Sequence, residues 1–273
     1  MAGFLFRTRV FSPHSAVTGA LLALGLALIA PAAIAEDVVP VPPPAVKGTR
    51  VIEVNGAITQ ALVPKIRAAL EAVESERFPA GAILLLDSSG GDGLAAIEIG
   101  RMARVSGVHV FVRNRCASAC TYLLAGGVVR GVARDKAIGI HSPRLTTFVK
   151  GIGVVDINSA SNPNAAKALE LGNRRSQDYF REMGLPDAFY AAMMAAPADQ
   201  TRYLDLAELS PLGLSGMDPA YLAVRAPAAA ARYGIAEAEF ERRTLSVARL
   251  CLEAKTTPRE FMKCYARVLR TGA

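Results

Sequence analysis

Three short stretches of this chain carry residues able to do acyl-transfer chemistry. In chain order they are Ser88-Ser89-Gly90-Gly91, Cys116-Ala117-Ser118-Ala119-Cys120 and Ile140-His141-Ser142-Pro143. Ser118 has an alanine on each side and opens a helix-like pattern. A serine so placed either caps the helix through its hydroxyl or serves as a nucleophile whose small neighbours leave room for an acyl group. A nucleophilic serine needs a base. His141 ends an apolar stretch, and imidazole is the side chain that titrates near neutrality. Gly90 and Gly91 follow the apolar run Ile83 to Leu86. They either make a tight strand-to-helix turn or leave the backbone bare, so that its N–H groups can face a developing anion.

The elements that must position these residues alternate in type. Residues 50–56, 82–87, 108–112 and 137–141 read as strands. Residues 61–73, 94–105 and 117–127 have apolar positions at helical spacing. The stretch 82–87 is apolar throughout as far as Leu86, which suits a strand covered on both faces. Such alternation predicts parallel β-α units. The later half is more helical: 164–184 and 186–196 are amphipathic. Residues 240–255 and 258–270 predict a helical hairpin turning at Thr256-Thr257-Pro258.

The 273 residues carry a formal charge of +7 without any long run of Lys or Arg, and aromatic residues are few. That argues against a nucleic-acid partner. Residues 1–35 have the features of a signal peptide: Arg7 and Arg9, an apolar stretch from Ala16 to Ile29, and an A-x-A pattern at Ala33 and Ala35. An uncleaved anchor is the alternative. No later segment is apolar for the length of a membrane span. The expected location is therefore the periplasm. A proline-rich linker follows over 36–48.

Four cysteines, Cys116, Cys120, Cys251 and Cys264, would lie in an oxidising compartment. Cys251 and Cys264 would staple the helical hairpin. Cys116 and Cys120 form either a second bridge or two buried thiols. The histidines His14, His109 and His141 do not cluster with them at metal-ligand spacing, so no metal and no other cofactor is expected.

The order and spacing of the three motifs resemble the Clp protease proteolytic subunit, a member of the ClpP/crotonase superfamily. The family's S-P-G-G is matched by Ser88-Ser89-Gly90-Gly91, its A-S-x-G by Ala117-Ser118-Ala119-Cys120, and its I-H-Q-P by Ile140-His141-Ser142-Pro143. Its R-F-L-S-A-x-E-A pattern is similar to Arg202-Tyr203-Leu204-Asp205-Leu206-Ala207-Glu208-Leu209. The resemblance covers residues 50 to 216. It implies an α/β fold of stacked β-α units with a mainly parallel sheet over 49–216, here followed by a helical extension over 217–273.

The resemblance also implies a serine peptidase. Ser118 would be the nucleophile, His141 the base, and the N–H groups of Gly91 and Ala119 the oxyanion hole. Peptides or unfolded protein segments would be the substrates, with homo-oligomeric assembly. The family's third catalytic residue is an Asp just before R-F-L, where this chain has Thr201. Asp199 is the nearest acid to replace it, with Asp187 and Asp205 behind it. A Ser–Lys site using Lys136 or Lys150, a Cys120 nucleophile, and a non-catalytic binding protein on the same fold are the alternatives.

Overall fold

The computed structural model describes residues 46–273 apart from positions 76, 152 and 254; the expected signal peptide and residues 36–45 of the expected linker lie outside them. The chain runs β1 (Val46–Lys47), β2 (Arg50–Asn55), α1 (Leu62–Glu71), β3 (Val73–Glu74), β4 (Ala82–Ser88), α2 (Gly93–Val105), β5 (His109–Ala117) and α3 (Cys120–Gly126). It continues through β6 (Val129–Val132), β7 (Ile138–Ile140), β8 (Thr146–Val149), β9 (Gly153–Asp156), α4 (Pro163–Glu182) and α5 (Asp187–Ala195). Last come β10 (Arg202–Leu204), α6 (Leu206–Leu209), β11 (Gly216–Met217), α7 (Pro219–Val224), α8 (Ala226–Tyr233), α9 (Glu237–Cys251) and α10 (Pro258–Thr271).

The main sheet has seven strands. Its continuous order is β10-β7-β5-β4-β2, with β6 beside β5 and β11 beside β6. Strands β2, β4, β5, β6 and β7 are parallel; only β10 and β11 run against them. The expected mainly parallel α/β sheet is therefore present. Strand β5 does more than the sequence predicts. Residues His109 to Val112 pair with β6, and Cys116 and Ala117 pair with β7, so one long strand serves two neighbours in tandem. Its last residue, Ala117, was expected in the following helix. The strand β6 was not expected at all. Val46 and Lys47, expected within the linker, instead pair in parallel with Val73 and Glu74.

Alternate residues of the central strands feed two cores, as the strand period of two requires. Leu84, Leu86, Val110 and Val112 point to the side holding Ile66 of α1, Ile99 of α2, Leu123 of α3, Tyr179 of α4 and Phe189 of α5. Ile83, Leu85 and Phe111 point to the other side, against Phe240 and Val247 of α9 and Phe261 and Val268 of α10. The C-terminal helices thus cover the second face of the sheet, with Phe261 packed 5.5 Å from Phe111 between ring centres. Burying both faces explains why the strand interiors read as unbroken apolar runs.

Both cysteine pairs are bonded, Cys116 to Cys120 and Cys251 to Cys264. The second spans 13 residues and ties the end of α9 to α10, which by loop-closure entropy stabilises the fold by about 3 kcal/mol. The first spans 4 residues, where the same reasoning gives only about 2 kcal/mol.

A polar group sits inside the second core. His109 is fully buried; its Nε2 lies 3.0 Å from the Tyr221 hydroxyl and its Nδ1 lies 3.3 Å from the Tyr265 hydroxyl. This cluster joins the first residue of β5 to α7 and α10. Burial pushes the imidazole down to about 3, so His109 folds neutral. In the unfolded chain it protonates near pH ~6.5. The unfolded state therefore binds the extra proton, and stability is complete above about pH 6.5 and declines as pH falls toward 3, by at most about 1.4 kcal/mol per pH unit from this group. Thermal melts of wild type and His109→Gln across pH 4 to 8 should show a lower melting temperature for the variant at pH 8 but a shallower decline on acidification. Parallel pH curves would mean that another group governs the acid side.

Candidate active site

The ladder between β5 and β7 delivers two side chains to one place. Cys116 pairs with Ile138 and Ala117 with Gly139, in parallel. The chains therefore leave the sheet side by side at their carboxyl ends, where sites in such sheets form. Ser118 follows one strand and His141 the other. The Ser118 Oγ lies 2.7 Å from His141 Nε2.

The tautomer follows from the other ring nitrogen. His141 Nδ1 lies 2.8 Å from the carbonyl oxygen of Ser142. A carbonyl only accepts, so Nδ1 carries the proton and donates it. Nε2 is then the lone-pair nitrogen, and the Ser118 hydroxyl donates to it. This is the protonation state that a general base requires.

Ser118 sits on a sharp turn. Its φ is +54°, one of two positive values among the described non-glycine residues, a conformation that side chains adopt at a cost. The turn is fixed at both ends of its peptide unit. Ser118 N–H donates to Gly139 O at 2.9 Å, and its carbonyl accepts from Thr121 N at 3.0 Å and Thr121 Oγ1 at 2.8 Å.

The glycine pair packs against this turn. Gly90 has φ +108°, and a Cβ built there would meet Ser118 Cβ at 2.7 Å, Ala117 O at 2.9 Å and Ala119 N at 3.0 Å. Gly91 has φ +145°, and a Cβ there would run into the backbone of Ile58. Ile58 donates to Gly90 O and accepts from Asp92 N, each at 2.9 Å. That pattern is a parallel bridge centred on Gly91, in which the N–H of the central residue points away from Ile58. Neither Gly91 N–H nor Ala119 N–H has an acceptor among the described residues. The site thus offers a hydrogen-bonded serine and histidine beside two unused backbone donors.

The expected acids do not join them. Asp199 is exposed in a turn and makes no hydrogen bond or ion pair among the described residues. Asp187 is held by Arg181 at 2.8 Å, and Asp205 by Lys136 at 2.5 Å. Lys136 is engaged in that same ion pair. Lys150 lies in the turn between β8 and β9. Cys120 is bonded to Cys116 and is no nucleophile. The expectation that Asp199 orients His141 is therefore corrected: a backbone carbonyl occupies that position, and carbonyls carry no signal in a sequence. No three His, Cys, Asp or Glu side chains gather as a metal site among the described residues.

Replacing Gly91 by Ala should lower stability by roughly 2 kcal/mol or more, because the added carbon meets backbone and the positive φ is lost to an L side chain. Urea unfolding of Gly91→Ala beside Gly93→Ala, where a Cβ meets nothing, checks this. Equal midpoints for the two would contradict it.

No family model matches the chain, and no curated protein matches its sequence. Among solved structures it is similar to the 1510-N membrane-bound stomatin-specific protease, in the form of a point mutant. The identity is 17%, over 67% of this chain and 86% of that one, with a TM-score of 0.45. It is also similar to ClpP1 of Listeria monocytogenes, likewise a point mutant, at 17% identity over 61% of this chain and 88% of that one, with a TM-score of 0.44. At this identity neither likeness speaks to activity.

Proposed function

We propose that the chain is an exported serine hydrolase acting on peptides or unfolded protein segments. The observation that carries this is the 2.7 Å contact between Ser118 Oγ and a His141 Nε2 whose lone pair is free to accept. In the reaction Ser118 Oγ bonds to the substrate carbonyl carbon and its proton passes to Nε2. The carbonyl oxygen gains the negative charge and is held by Gly91 and Ala119 N–H. His141 then returns the proton to the leaving amine as that bond breaks. Water, deprotonated by the same nitrogen, hydrolyses the acyl-enzyme. Each oxyanion donor is worth about 3 to 4 kcal/mol of barrier.

Export is supported by the basic, apolar and A-x-A features of residues 1–35 and by the two disulfides, bonds that persist in oxidising compartments. The periplasm is the compartment we assign.

A fluorophosphonate probe tests the serine. Wild type should label; Ser118→Ala should not; His141→Ala should label at least about 100-fold more slowly. Asp199→Asn should stay within about twofold of wild type, since its side chain touches nothing at the site. A folded wild type that does not label would favour a binding protein, the reading to which the neutral partner on Nδ1 lends weight. A carbonyl orients the imidazole but stabilises the imidazolium less than a carboxylate does.

The ladder between β7 and β10 suggests a position for an acid. Arg202 pairs with Ile140 and Tyr203 with Gly139, which puts Thr201 opposite His141. A Cβ on Gly139 would meet Thr201 Cγ2 at 2.6 Å, so the Thr201 side chain shares the face of residues 139 and 141. Thr201→Asp should raise the labelling rate by roughly tenfold or more. An unchanged or lower rate would mean that the acid does not reach Nδ1.

A further inference from the structure

We infer that the Cys116–Cys120 disulfide is a positioning pair for the nucleophile, holding the turn that aims Ser118 at His141; the inference rests on the hydrolase reading. The two cysteines are fully buried and flank the turn symmetrically. Cys116 is the next-to-last residue of β5 and is locked in register with Ile138. Cys120 is the first residue of α3. Between them lie only Ala117, Ser118 and Ala119.

That turn needs a restraint. Ser118 is held at φ +54°, which an L residue leaves when the surrounding structure permits. On one side the Gly90 backbone fills the space against Ser118 Cβ and Ala119 N. On the other, the disulfide is the covalent tie that stops the start of α3 from moving away from the end of β5. If α3 shifts, Ala119 N–H shifts with it, and both the nucleophile and one oxyanion donor are displaced together. A displacement of about 1 Å at reacting atoms commonly costs on the order of 100-fold in rate.

Global stability is the competing reason for the bond, and loop length weighs against it. A bridge across 4 residues removes less freedom from the unfolded chain than one across 13. The two disulfides should therefore separate by effect, Cys251–Cys264 acting on stability and Cys116–Cys120 on the site.

The test compares Cys116→Ala/Cys120→Ala with Cys251→Ala/Cys264→Ala in the full chain. Both are measured for thermal midpoint and for fluorophosphonate inactivation, resolved into a maximal rate and a half-saturating concentration. The first pair should lose about 10- to 100-fold in maximal rate with little change in half-saturation. It should also move the His141 Nε2 nitrogen resonance, which reports the bond from Ser118. The second pair should lower the midpoint more and leave the maximal rate within about threefold. A first pair that inactivates within threefold of wild type, or in proportion to its midpoint, overturns the inference. If the alanine pair does not fold, Cys116→Val/Cys120→Ala fills more of the buried volume and is read the same way. Wild type that fails to label at all defeats the hydrolase reading. The nitrogen resonance then decides the clamp alone: a shift in the first pair upholds it, and an unmoved resonance overturns it.

Discussion

Cys116 and Ala117 pair in parallel with Ile138 and Gly139, and that short ladder sets the distance between the serine and the histidine. A parallel ladder sends both chains out of the sheet in the same direction. Ser118 and His141 leave it as neighbours although 23 residues separate them. The rest of the site is arranged around this pair. Gly139 O receives the Ser118 N–H, Gly90 closes the turn from the side, and the carbonyl after His141 turns the ring. Displacing β7 along β5 by one residue would flip its side chains to the other face and dissolve the site.

The same sheet explains why helices lie on both of its faces. Strands buried on both faces need cover on both, and α1 to α5 supply only one side. Helices α8 to α10 supply the other, stapled by Cys251–Cys264 and keyed by His109 between Tyr221 and Tyr265. The C-terminal segment is therefore part of what keeps β4 and β5 dry. Through β5, it also supports the strand that carries Ser118.

Much of this was legible in the residues. β4 and α2 could be placed because a doubly buried strand is apolar almost throughout and the helix after it repeats its apolar residues every three or four positions. Ser118, His141 and the glycine pair stood out because few residue types can act as nucleophile, base or strained turn. β6 was missed because Val129–Val132 holds Arg130 and Gly131. Arg130 is buried there by donating to the carbonyls of Gly127, Gly213 and Met183, the last two brought from afar in sequence. The partner of His141 was missed for a different reason. Sequence reasoning looks for a carboxylate, and here a main-chain oxygen, which every residue possesses, takes its place.

The central claim is that Ser118, His141 and the two free N–H groups form one working site. A crystal structure of the protein after reaction with diisopropyl fluorophosphate tests it most directly. The account predicts phosphorus bonded to Ser118 Oγ, with the phosphoryl oxygen within hydrogen-bond distance of both Gly91 N and Ala119 N. An unmodified Ser118, or an adduct whose oxygen points away from both amides, would contradict it.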